Sequence, residues 1–432
     1  MTATAETPTA ASLPRPALAA RLSFTTDRAT LADALTTVGL GVPTRPVLPT
    51  LGGARLEASE GHLTISATDY ETTVTVRIPG TVQVAGILLV DHGEISKLLG
   101  ALVKGTGKRE ADALPATVRT LDDGTPIVDL AGYTMPVTAY PLEDYPPIPE
   151  AVPTLAEVDR DAFARDMARV MVTAGKDDTL PVLTALGLEI TPGAVTMAAT
   201  DRYRLAVAPL PAVTAVRDAQ NARALVLGHV VARVVKRFTG DRVRIGLDDV
   251  TAPSMVSLTC GPVTVSVHTV DAQAPPYKQL LPDGAAGIVR TGRDALLTAT
   301  RRAAAVLDAK RHKNGQVDVI MSGASVSVTP VLAENTDAVT APTQPATIEG
   351  ISDGHRLRFN PAYLLDALNT FTGDTITVHT QSTASRPVVF TNAADGLTDP
   401  AAFLHLVMGV RIPQGENHIH TREAGNRVPV GA

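Results

Sequence analysis

The stretch Leu48–Asp69, LPTLGGARLEASEGHLTISATD, returns 132 residues later as Leu180–Asp201, LPVLTALGLEITPGAVTMAATD. Ten of the 22 aligned positions are identical: Leu48/Leu180, Pro49/Pro181, Leu51/Leu183, Leu56/Leu188, Glu57/Glu189, Gly61/Gly193, Thr64/Thr196, Ala67/Ala199, Thr68/Thr200 and Asp69/Asp201. A match of this length at one offset marks a whole domain used again. Leu63, Ile65, Ala67 and Val195, Met197, Ala199 occupy alternate positions, which puts apolar side chains on one face of a strand. Gly61 and Gly193 sit where turns feed those strands, and Gly323 precedes a weaker third version, Val326-Ser327-Val328.

Helical patterns carry the period into that third copy. One set spans Asp27–Gly39, Asp159–Ala174 and Arg293–Arg311; a second spans Asp91–Lys104, Gly228–Thr239 and Asn360–Phe371. Leu31, Leu35 and Val38, like Phe163, Met167, Val170 and Met171, fall on one helical face. Asp27 and Asp159 are placed as N-caps. The Pro-rich joins at 140–149 and 274–282 read as stiff extended connectors. The expected fold is therefore α+β: three repeated domains, each with two helices on antiparallel sheets. Their expected bounds are 21–150, 151–282 and 283–412, between an arm at 1–20 and a tail at 413–432.

A chain of 432 residues has room for about three domains. Its 44% apolar and 19% charged content suits a soluble globular protein. Scarce aromatics and the absence of Trp argue against stacking platforms for single-stranded nucleic acid. The one cysteine, Cys260, excludes an internal disulfide framework and reads as a core residue of a cytoplasmic protein. The longest apolar run, Val84–Val90, is too short to cross a bilayer, so no membrane partner is expected. Residues 1–20 lack the pattern of a signal peptide and read as a disordered arm. Net charge is −6, yet the six helices together carry +4 and the remainder −10. Basic helices beside acidic strands and loops point to a phosphate-facing surface and a repelling exterior.

Enzymatic readings find no support. Gly105-Thr106-Gly107-Lys108 lacks the upstream Gly and following Ser or Thr of a phosphate loop and reads as a solvated basic turn. His418 and His420 have no further ligands near them in the tail, so no metal is expected. Asp69 and Asp201 recur at equivalent strand ends, which fits a turn role repeated in each copy. No Ser/His/Asp spacing or dinucleotide fingerprint is present, and no cofactor is expected.

The segment Ala199–Val207, ATDRYRLAV, resembles the signature of the bacterial DNA sliding clamp, the β subunit of DNA polymerase III. So do Arg45-Pro46-Val47-Leu48-Pro49, Asp177-Asp178-Thr179-Leu180-Pro181, the junctions Glu143–Pro146 and Tyr277–Pro282, and Leu406–Ile412, in order across residues 21–412. The resemblance implies a non-catalytic processivity factor: two three-domain chains joined head to tail in a closed ring, with twelve helices lining a hole for double-stranded DNA. A heterologous interface closes into a ring only when its rotation divides the circle, as three near-equal domains in two chains allow. Contact with DNA is then sequence-independent, through phosphates. Arg45 matches a family arginine near the duplex; Arg233, Lys236, Arg237, Arg301, Arg302 and Lys310 are placed there by charge pattern.

The resemblance also implies a hydrophobic cleft between the second and third domains for a short peptide carried by the polymerase α subunit, the clamp loader and other clamp-motif proteins. The matching positions are Leu183, Thr200, Arg202, Tyr203, Arg204, Leu205, Pro275, Leu280, Leu406, Met408, Val410 and Arg411. Two departures stand out. Gly409 replaces a usual Pro, at an expected cost of about 1 kcal/mol in cleft affinity, and about twenty residues follow Ile412. Both fit an alternative: a secondary clamp with an altered cleft, acting as a specialised or inhibitor-resistant replacement for a housekeeping ring.

Overall fold

The computed structural model describes residues 21–412 except 178, 216–220, 273–275, 333–338, 382–385 and 394. The arm at 1–20, the tail at 413–432 with His418 and His420, and Pro275 lie outside the described residues. Contacts divide the chain into two units, Met1–Glu150 with Pro262–Ser266, and Ala151–Gly261 with Val267–Ala432.

In the first unit, helix Arg28–Val38 starts where Asp27 accepts the Thr30 amide at 2.8 Å, and helix His92–Ala101 where Asp91 accepts that of Glu94 at 2.7 Å. These caps satisfy amides that the first turn leaves without partners. Leu31, Leu35 and Val38 are fully buried with Leu56, Ile65 and Val74. Strand His62–Thr68 pairs antiparallel with Gly53–Ser59 and with Thr72–Pro79, and Gly61 turns the first hairpin at φ +75°. A five-stranded sheet runs in the order Thr81–Val84, Ser23–Asp27, Pro115–Thr120, Pro126–Leu130, Tyr133–Pro136.

The second unit repeats this plan twice. Helix Arg160–Met171 is capped by Asp159 and Pro361–Asn369 by Asn360; Gly228–Val235 and Arg293–Ala309 lack a side-chain cap. Gly193 and Gly323 again occupy turns with positive φ, +78° and +55°. A twelve-stranded sheet runs through the unit. Its decisive pairing joins Arg204–Pro211 to Leu404–Val407, with Arg204 opposite Val407 and Val207 opposite Leu404. Leu404–Val407 in turn pairs with Val388–Thr391. One hydrogen-bonded ladder therefore crosses from the second sequence repeat into the third.

The structure corrects several expectations. The second helical set ends early, at Ala101, Val235 and Asn369 instead of Lys104, Thr239 and Phe371. After Val235 the amides of Arg237 and Phe238 bond to Val234 and Val235, three residues back, which tightens the last turn out of α geometry. Ala174 and Arg311 also fall beyond their helices, which stop at Met171 and Ala309. The joins are not simply extended, since each contains a 3-10 turn, Leu142–Asp144 and Tyr277–Leu280. Lys108 opens a short helix, Lys108–Ala113, after the turn at Gly105. The Asp pair does form a repeated turn. Asp69 Oδ1 accepts from the amides of Glu71 and Thr72, and Asp201 Oδ1 from those of Tyr203 and Arg204. Tyr70 and Arg202 between them take φ of +77° and +78°.

Where Gln316–Ser322 pairs with His355–Phe359, Asp318 and Arg358 face each other in the interior. Arg358 Nε and Nη2 donate to the two carboxylate oxygens at 2.7 and 3.0 Å, with Arg356 Nη1 3.4 Å from one of them. Arg358→Ala leaves the buried Asp318 carboxylate with only the longer Arg356 ion pair among those described and is expected to cost about 3 kcal/mol in denaturant unfolding, whereas Asp318→Leu combined with Arg356→Met and Arg358→Met recovers most of it.

Candidate functional site

The seam between the second and third repeats carries an apolar cleft. It is lined by Thr200, Arg202, Tyr203, Arg204, Leu205, Gln279, Leu280, Arg386, Pro387, Leu406 and Met408, and has a volume of about 290 Å³. The paired strands supply Leu205 and Leu406 as a buried floor, while Tyr203 and Leu280 are 60% and 48% exposed. Exposed apolar side chains beside a concave apolar floor leave area that a ligand can take out of water, at about 1.5–3 kcal/mol per fully buried side chain.

Eight of the twelve expected cleft residues meet here. Val410 and Arg411 line a neighbouring cavity of about 320 Å³, which shares Arg386 with the cleft. Leu183 does not line the cleft: it belongs to the short helix Pro181–Thr184, where its carbonyl accepts from the Gly175 amide at 2.7 Å and its Cβ packs on Gly175. Pro275 is outside the described residues. The sequence reading missed Gln279, Arg386 and Pro387. Gln279 lies inside the quoted Tyr277–Pro282 junction, but Arg386 and Pro387 belong to no repeated segment, so nothing in the sequence marks them. Tyr363, also missed, stacks on Tyr203 with ring centroids 6.1 Å apart.

Arg204 lines the cleft as expected and is almost fully buried. It donates to Asp201 Oδ2 at 2.8 Å and to Asp366, and lies 4.6 Å from the centroid of the Tyr363 ring. Burial alone lowers the basicity of the guanidinium; its bonds to Asp366 and Asp201 outweigh this and raise it. Arg204 thus fixes the wall that carries Tyr203. The Met408 amide donates to the Tyr203 carbonyl and the Val410 amide to that of Arg358, both at 2.7 Å, which ties the last described segment to the cleft.

On the helical side of the seam, Arg169 lies 3.5 Å from the Phe403 ring centroid and donates to the Thr370 carbonyl at 2.7 Å. Between this arginine and Arg204 lies His405, wholly buried, with Nδ1 3.2 Å from Thr370 Oγ1 and Nε2 without a hydrogen-bond partner among the described residues.

The expected DNA-facing cations are dispersed. Arg45 is exposed in the first unit. In the second unit Arg233 and Lys236 are exposed and Arg237 is half-buried. Arg301 is exposed, its Nη2 3.5 Å from Asn369 Oδ1. Arg302 and Lys310 share a stripe with Val306 that lines an apolar cavity of about 820 Å³ beside Leu332 and Pro342. That makes them weaker phosphate candidates than Arg233 and Lys236.

A repeated α+β module, joined to its neighbour by a common sheet with an apolar cleft at the join, defines a protein built by internal repetition. The family model for the N-terminal domain of the DNA polymerase III β subunit matches residues 22–123, and that for its central domain matches 157–276. The chain is 32% identical over 288 residues to the β sliding clamp of Micrococcus luteus, covering 66% of this chain and 89% of that one. It is 28% identical over 399 residues to that of Streptomyces coelicolor, covering 89% and 98%. The solved Pseudomonas aeruginosa clamp bound to griselimycin matches with a TM-score of 0.75 at 21% identity, over 91% of this chain and 100% of that one. The chain belongs to the bacterial β sliding clamp family.

Burial, with Arg204 and Arg169 nearby, pushes the His405 pKa down to about 3. Below its ordinary value near 6.5 the unfolded chain takes up a proton that the folded one refuses. The contribution of the neutral ring is thus complete above pH 6.5 and lost as pH falls toward 3, by up to about 1.4 kcal/mol per pH unit. Unfolding free energies measured across that window should change less steeply with pH in His405→Leu than in the parent.

Proposed function

We propose that the chain acts as a non-catalytic processivity ring in DNA replication, with domains at 21–150, 151–282 and 283–412 and two copies joined head to tail around duplex DNA. Arg45, Arg233, Lys236, Arg237 and Arg301, with lesser contributions from Arg302 and Lys310, face the phosphates, so binding is indifferent to sequence and weakens with salt. Topology keeps the ring on its track, and a separate ATP-driven loader opens it. The polymerase α subunit, the loader and other partners dock through a short peptide in the cleft. The observation that carries this reading is the cleft itself, built on the end of the ladder that joins two repeats in a chain of the sliding clamp family. Loaded on nicked circles, the protein should persist through gel filtration; linearising the DNA should release it within the same run. Equal loss from both substrates excludes topological linkage.

Gly409 favours a second, compatible reading, that of a specialised clamp with an altered cleft. A Cβ added there would meet only the Arg358 carbonyl oxygen, at an ordinary 3.6 Å, and φ is not positive, so the backbone does not require glycine. The residue forgoes contact area beside Met408. Gly409→Pro should tighten binding of a cleft peptide about fivefold, and Met408→Ala should weaken it by about tenfold, read by fluorescence anisotropy. No change from either substitution removes this segment from the binding site.

A further inference from the structure

The same sheet face is filled by a tyrosine in the first repeat, whereas in the second Tyr277 packs beside Ala198 and Leu205 and leaves a cavity. In the first unit, Tyr145 is buried against Leu51 and Leu89. Its hydroxyl accepts from the Thr68 amide at 3.2 Å and donates to the Gly53 carbonyl at 3.5 Å. At the constant offset of 132 the counterparts of Tyr145, Thr68 and Gly53 are Tyr277, Thr200 and Ala185. Leu225 pairs with Gly187 just as Leu89 pairs with Arg55, the residue 132 earlier.

In the second repeat Tyr277 turns its hydroxyl elsewhere, donating to Glu189 Oε2 at 2.7 Å. Glu189 is also held by Lys278 and Arg223 at 2.9 and 2.8 Å, so its charge is already matched. Thr200 and Ala185, the counterparts of the residues that hold the Tyr145 hydroxyl, here line a cavity of about 540 Å³. Ala185, Gly187, Ala198 and Ala224 floor it, with Val182 and Leu225 beside them. Gly187 matters because its counterpart, Arg55, projects a side chain that reaches Glu57 at 2.7 Å. The cavity also shares Thr200, Leu205 and Gln279 with the docking cleft.

We propose that this cavity is a second compartment of the docking surface and takes a phenol ring: a tyrosine side chain that the docking peptide carries outside its cleft-filling residues. The inference rests on the proposed docking of peptides in the cleft. The first repeat supplies the template, since its own Tyr145 shows what this sheet face accommodates, down to the two backbone groups that meet the hydroxyl. With Glu189 held by two cations at the rim, recognition of an uncharged ring comes from shape, apolar contact and those backbone groups.

The test uses the full chain with labelled methyl groups and p-cresol as probe. Saturable shifts are expected at Val182, Ala185 and Leu225 but not at Met408, with toluene binding about tenfold more weakly for want of the hydroxyl. Gly187→Leu, or Ala198→Leu if the first variant melts early, fills the floor and should abolish the response. Shifts centred on Met408, or unchanged binding to a folded filled variant, overturn the proposal. Peptides selected on the parent chain from a random display library should carry Tyr at a fixed spacing. Replacing that Tyr by Ala should cost about tenfold on the parent and nothing on the filled variant. Selected peptides with no such Tyr sink the second compartment and leave cleft docking intact, whereas a library that yields no binders sinks cleft docking itself.

Discussion

Everything in the second unit hangs on four residues, Leu404–Val407, lying in register against Arg204–Val207. Backbone groups at a buried sheet position must be paired, so this short strand leaves no freedom in how the two repeats meet. The side chains on either side lock the same joint. Arg204 spans from the Asp201 turn to Asp366 on one side, and Arg169 reaches Thr370 and Phe403 on the other. The cleft is the surface expression of that joint, because its floor residues Leu205 and Leu406 are themselves a cross-strand pair. A binding surface built on a ladder keeps its shape without a ligand to order it.

Much of this was legible in the residues. The 132-residue offset located the strands and their glycine turns, and apolar spacing located the helices, since both depend on local periodicity that a sequence displays directly. Asp27 and Asp159 proved to be the caps they were read as. Helix ends were misjudged where a last turn tightened, a choice made by i to i−3 bonding that composition does not reveal. The resemblance supplied most of the cleft, Arg204 included, but a motif gives a residue's place, and only its partners show that two carboxylates hold it. Arg386, Pro387 and Tyr363 were invisible because the third repeat has drifted furthest from the others.

The charge argument also needs refinement. Summing charge by helix assumes that every cation on a helix faces the same way. Along Arg293–Ala309 and its C-cap, Arg302, Val306 and Lys310 form one stripe toward an apolar cavity, while Arg301 lies by Asn369 on the neighbouring helix. Net helix charge therefore overstates what a phosphate backbone would meet, and Gly228–Val235 with the turn after it presents the cleaner basic surface.

The position of Leu404–Val407 along the chain has its own consequence. It is the last strand among the described residues, yet it sits in the interior of the twelve-stranded order. During synthesis the first unit has its strands once Ser266 has left the ribosome, while the second must wait with two exposed sheet edges until Val407 follows. Such unpaired edges invite mispairing with a neighbouring nascent chain. The longer synthesis takes between Val207 and Val407, the longer those two edges stand open.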